Sequence, residues 1–158
     1  MSDEVRKKIL RTKVLTLALL LANTVNAQIE ISTFKLKPTL LYTTKALHMS
    51  FVCKGEKEVK YVKVEWCAVN AVGDVSAGIT PNLLLRKASA TGPFSPDKKY
   101  RREAMAGYIG TEKVRALPVS ISVEYMDGTG WETDINKDNY AQFFPQLKWI
   151  DFTAPGDF

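Results

Sequence analysis

Histidine is nearly missing from this chain: His48 is the only one in 158 residues. A Ser–His–Asp triad would have to use it, yet no Ser or Cys motif accompanies it, and a zinc site built on several histidines is excluded. Cysteine is almost as scarce, with Cys53 and Cys67 alone. The longest apolar stretch, "VLTLALLLA", is nine residues, well short of the roughly 20 a transmembrane helix needs. A sustained 3.6-residue apolar repeat, a low-complexity tract and an internal repeat are also lacking, which argues against helical bundles and repeat arrays.

What is present begins with a leader. "MSDEVRKKILRTK" carries Arg6, Lys7, Lys8, Arg11 and Lys13; the apolar run follows, and "VNA" before Gln28 supplies small residues at Val25 and Ala27. That order predicts a signal peptide over 1–27, cleaved after Ala27. No Cys follows the run, which argues against a lipid anchor. Removing the leader takes away five of 22 basic and two of 17 acidic residues, leaving 17 against 15, a net of +2. The basic isoelectric point therefore resides largely in the leader and gives no reason to expect nucleic-acid binding. The remaining residues, 28–158, suit one domain.

Strand patterning dominates that part. "ALHMSFVC" (46–53) sets Leu47, Met49, Phe51 and Cys53 against His48 and Ser50. "YVKVEWCAV" (61–69) sets Val62, Val64, Trp66 and Ala68 against Tyr61, Lys63, Glu65 and Cys67. "VSISVEY" (119–125) aligns Val119, Ile121, Val123 and Tyr125. Period-two alternation is what half-buried antiparallel strands require. Weaker strands are expected at 28–36, with a bulge near Thr33 where the apolar phase slips, and at 83–91. "RREAMAGY" (101–108) reads equally as helix or strand. Several short strands between turn signals predict an all-β, antiparallel β-sandwich, with Trp66 as a core anchor between its sheets.

An exported compartment permits a disulfide. A hairpin around "KGEK" (54–57), however, would separate Cys53 from Cys67 by nine residues, roughly 30 Å at ~3.3 Å each. A bridge needs Cα atoms within ~7 Å. The alternation also turns Cys53 inward and Cys67 outward, so free thiols are expected.

The turn signals come next. In "WCAVNAVGDV" (66–75) a strand ends on Asn70, Gly73 and Asp74, residues that tolerate positive φ. "ATGPF" (90–94) reads as a Gly92-Pro93 strand stop, and "YMDGTGW" (125–131) holds the hairpin pair Asp127-Gly128. In combination these stretches resemble small exported bacterial β-sandwich proteins of unassigned function. There a Lys-Tyr-Val strand runs into Asn-x-x-Gly-Asp, Thr-Gly-Pro follows, and a late strand ends in Tyr-Met-Asp-Gly. The likeness spans residues 59–131. It implies an immunoglobulin- or fibronectin-like fold and no known active site. "REAMAGYIGTEKV" departs from the Trp- and Asn-bearing segment of that pattern, so loops at that end differ.

Candidate chemistry is thin. "DINKDN" spaces Asp134, Asn136 and Asp138 as the opening of a calcium loop, but Asn139 replaces its glycine and Pro145 its bidentate acid. Without calcium no cofactor is implied, and the alternative is a polar loop in which Asp138 or Asn139 caps a helix through "YAQFF". "DKKYRRE" (97–103) gathers four cations around Tyr100; it is a solvated loop or a contact for lipopolysaccharide, acidic glycan or acidic protein. Glu124, Asp127, Glu132 and Asp134 supply carboxylates, which a glycosidase would have to set facing each other. "NYAQFFPQLKWIDF" (139–152) is expected to wrap over the sandwich or to expose an aromatic patch.

These observations predict a non-catalytic binding or structural module. It would be exported to the periplasm, cell surface or medium, would not span the membrane once the leader is removed, and would engage a protein or glycan of the cell envelope. The alternatives are a small hydrolase or enzyme accessory using loop carboxylates, and an inhibitor or assembly subunit that pairs through an open strand edge.

Overall fold

The computed structural model describes residues 28–39, 44–75, 85–109 and 113–149. The leader expectation falls on residues 1–27, outside them. Seven strands run in order: β1 (Ile29–Pro38), β2 (Thr44–Cys53), β3 (Val59–Asn70), β4 (Arg86–Phe94), β5 (Lys99–Tyr108), β6 (Val114–Tyr125) and β7 (Gly130–Asp134). A one-turn helix, α1 (Tyr140–Phe143), follows. The strands form two antiparallel sheets, ordered β1-β2-β5 and β4-β3-β6-β7. The fold is all-β, with the two sheets packed as a sandwich.

The core follows from the alternation. Ile31, Phe34, Leu47, Met49 and Phe51 from the first sheet meet Val62, Val64, Trp66, Phe94, Ile121 and Val123 from the second, all buried. Ring contacts cross the interface: Phe34 meets Trp66 edge-on at 6.5 Å, and Phe51 meets Phe94 edge-on at 5.1 Å. Edge-to-face pairs of this kind add to the burial of the rings themselves. Trp66 is 1% exposed. Its indole N–H has no hydrogen-bond partner, while the Arg86 guanidinium lies 5.5 Å from the ring centroid. Arg86 is itself buried and donates from Nε to the Ala106 carbonyl at 3.3 Å, tying β4 to β5 across the sandwich.

The 46–53/58–69 hairpin does not form. β2 pairs with β1 and β5, whereas β3 pairs with β4 and β6. "KGEK" carries the chain from one sheet to the other, with Gly55 at φ +101°. An arch and a hairpin leave the same local alternation. The arch is the solution that sets the apolar faces of both strands against each other rather than side by side.

Cys67 is buried, although it lies outside the core cluster that holds its neighbours Trp66 and Ala68. From Trp66 to Val69 every residue of β3 is buried, beginning where the β3–β6 register shifts between Glu65 and Trp66. Alternation assigns a residue to a face; it does not say whether that face is wet. Both thiols are free.

The bulge expected near Thr33 appears as a register shift between Ile31 and Thr33. The ambiguous 101–108 segment is strand, within β5. Gly92-Pro93 is not a stop: β4 continues through it to Phe94. The register with β3 shifts there, and a Cβ on Gly92 would sit 2.4 Å from the Val59 carbonyl oxygen. Glycine permits that close approach. The strand expected at 83–91 begins at Arg86, and residues 83 and 84 lie outside the described ones.

Candidate functional site

Most residues singled out by the sequence are committed to local backbone. Asn70 Oδ1 accepts from the N–H groups of Val72 and Asp74, at 3.1 and 2.9 Å. Gly73 takes φ +91°, and Val75 returns to bridge Val69. The Asp127 carboxylate accepts from Lys57 at 2.7 Å and from the Thr129 N–H at 2.9 Å. Those hydrogen bonds, Lys57 first, hold its carboxyl well below the usual range. Gly128 follows at φ +81°. Asn70 and Asp127 each act as an Asx-type staple for a hairpin.

The Asp134–Asn136–Asp138 loop is closed by its own hydrogen bonds. Asn136 Oδ1 accepts from the N–H groups of Asp138 and Asn139, and Asn139 Nδ2 donates to the Asp134 carbonyl. Asn136 Oδ1 thus serves the turn itself. Among the described residues no group of three or more His, Cys, Asp or Glu side chains converges. Asn139 is the N-cap of α1 but makes no side-chain cap bond; its Oδ1 accepts from the Asn136 N–H instead. The aromatic segment packs inward over its described part. Tyr140, Phe143 and Phe144 are buried, and Tyr140 stacks on Phe144 at 4.7 Å.

A groove of about 710 Å³ opens between the two sheets, lined by Phe34, Leu36, Val114, Ala116, Leu147 and Trp149 among others.

The outward rows of both sheets lie among the described residues. On the four-stranded sheet the register aligns three rows: Thr91–Tyr61–Glu124–Gly130, Ser89–Lys63–Ser122–Glu132 and Lys87–Glu65–Ser120–Asp134. Charges neutralise one another in place, with Lys87–Glu65 at 2.7 Å and Lys60–Glu124 at 2.9 Å. Those contacts raise both lysines above their ordinary values. A shallow depression of about 380 Å³ lies beside Tyr61, where Gly128 and Gly130 lack side chains. The carboxylates of Glu124, Glu132 and Asp134 stand on this flat face and Asp127 at its end, so they do not oppose one another across a cleft.

The three-stranded sheet is different. Its outward rows are Glu30–Val52–Lys99, Thr33–Ser50–Arg101, Lys35–His48–Glu103 and Lys37–Ala46–Met105. Lys35, Lys37, Lys99 and Arg101 are exposed. Among the described residues none of these four is within ion-pair distance of an acid. Glu30 is engaged by Lys54 at 3.9 Å, and Glu103 lies 3.6 Å from His48 Nε2. The structure thus divides "DKKYRRE". Lys99, Arg101 and Glu103 face out; Tyr100 packs on Phe51 and Phe94, and Arg102 lies over the Phe94 ring at 5.1 Å. Lys35 and Lys37, which sequence reading passed over, complete the basic face. The signal was there in "KLK", but only the β1–β2–β5 register brings it beside 99–103.

The chain was compared with protein families, curated proteins and solved structures, and none matches. Among the described residues no helix is long and apolar enough to cross a membrane.

Proposed function

We propose that the chain is an exported, non-catalytic binding module of the immunoglobulin/fibronectin-like class, whose ligand is anionic and docks on the outer face of the three-stranded sheet. The strand order β1-β2-β5 against β4-β3-β6-β7 supports the fold assignment. It keeps two Greek-key sheets with the Trp of the third strand buried between them, as in that class. It also agrees with the resemblance of residues 59–131 to small exported sandwich proteins.

One observation carries the binding reading: four exposed cations gather on one face with no acid within ion-pair distance among the described residues, while the opposite face pairs Lys87 with Glu65 and Lys60 with Glu124. Leaving like charges together costs free energy in the absence of a counter-charge, so such a face suits an anionic ligand. The test is titration of the purified full-chain product with dextran sulfate at low salt, with neutral dextran as control. Binding to the sulfated polymer alone is expected; binding to neither ends this reading. Export is checked on the same sample, whose first residue is expected to be Gln28.

A further inference from the structure

The four cations of the basic face are not scattered over it. Counting rows along β2, Lys99 and Arg101 stand on the β5 side of the Val52 and Ser50 rows. Lys35 and Lys37 stand on the β1 side of the His48 and Ala46 rows. They form one diagonal, which crosses β2 between Ser50 and His48. The remaining corners hold Glu30 and Thr33 at one end and Glu103 and Met105 at the other. Rows two residues apart are about 6.8 Å from each other, so the diagonal runs over roughly 20 Å of strand, and it shifts sideways by about 10 Å. Along its floor the side chains are small or flat: Ser50 and Ala46 are 8% and 1% exposed, and His48 lies between them.

Resting on the reading above that this face takes an anionic ligand, we infer that the ligand is a linear acidic polysaccharide lying along this diagonal. Its carboxylates meet Lys99, Arg101, Lys35 and Lys37 in turn, and its hydroxyls meet His48 at the crossing. A chain on this path avoids both acids. A flat anionic lipid surface does not, because Glu30 and Glu103 would be pressed against headgroups of their own sign. Single-stranded nucleic acid is disfavoured on different grounds. Proteins that bind it interleave cations with aromatic rings on which bases stack, and here the only ring among the described outward residues is His48. Tyr100, the aromatic of the basic stretch, is turned inward against Phe94 at 4.7 Å.

Polygalacturonate is the probe, titrated into the purified protein at 50 mM salt. The variant Lys35→Glu/Arg101→Glu cuts the diagonal on both strands; Lys63→Glu/Lys87→Glu makes the same charge change on the opposite face. The first is expected to weaken binding at least tenfold and the second by less than threefold. Lys35→Arg/Arg101→Lys should restore it, and circular dichroism confirms that each variant is folded. Raising salt from 50 to 200 mM should weaken wild-type binding about tenfold or more. Equal losses from the two reversal variants would overturn the diagonal. Tighter binding of single-stranded DNA than of polygalacturonate would overturn the choice of polymer, as would binding to anionic phospholipid vesicles alone. Binding of dextran sulfate without polygalacturonate would overturn this inference and leave the broader reading standing.

Discussion

The two outer faces of this sandwich are built from the same kind of strand and treat charge in opposite ways. On the four-stranded sheet, cation and acid lie on adjacent strands, and the pairs Lys87–Glu65 and Lys60–Glu124 close at 2.7 and 2.9 Å. On the three-stranded sheet the acids are held at two corners and the cations run between them. The first arrangement is self-contained. The second leaves Lys35, Lys37, Lys99 and Arg101 without an ion-pair partner among the described residues. Composition could not show this, because a net charge near +2 for residues 28–158 averages over both.

The strongest way to break the comparison is to remove what holds the faces back to back. Trp66→Ala empties the interface both sheets share and should cost about 3–5 kcal/mol in a denaturant titration. Trp66→Phe should cost much less, since it also removes an indole N–H that is buried without a partner.

Next in size is a change of ionic strength. Polyanion binding by the three-stranded face should fall at least tenfold between 50 and 200 mM salt. The melting temperature should hardly move, because solvent screens exposed pairs such as those on the other face and leaves them little net stabilisation. A parallel fall in stability would mean that the faces are not electrostatically independent.

Smaller still are single acids. Glu65→Gln should cost less than about 1 kcal/mol of stability and leave binding unchanged. Glu103→Gln should do the reverse, strengthening polyanion binding two- to threefold with no loss of stability.

The acid limb offers a finer probe of the four-stranded side. Lys57 and Thr129 hold the Asp127 carboxyl below its ordinary range, so the folded chain takes up that proton less readily than the unfolded chain. The stabilisation is whole above about pH 4 and erodes as pH falls further. Asp127→Asn should flatten that limb of the melting curve. Last, millimolar calcium should leave the melting temperature where a chelator does, since Asn136 Oδ1 already serves two backbone N–H groups.

How much of this was legible in the residues differs by level. The strands, the bulge near Thr33 and the burial of Trp66 follow from alternation, which is local. That 54–57 is an arch rather than a hairpin is not local: it depends on which sheet each flanking strand joins. The error at Cys67 has a related cause, because period two names a face and leaves its covering to the rest of the chain. Gly92-Pro93 misled because a strand stop and a register shift within a strand use the same residues, and only the Val59 carbonyl close by tells them apart. The basic face was half legible. "DKKYRRE" drew notice as a run, yet strand geometry sends Arg102 to the Phe94 ring and recruits Lys35 and Lys37 from more than sixty residues away.

The two cysteines carry a consequence for how the molecule comes to exist. Each is buried and unbridged, and burial pushes the Cys53 thiol up to about 11 and raises that of Cys67. Hardly any thiolate is present at neutral pH to attack an oxidant or a neighbouring chain. A sandwich closed in this way needs no oxidase or isomerase to mature, and it should reach the same end state in reducing and in oxidising solvent.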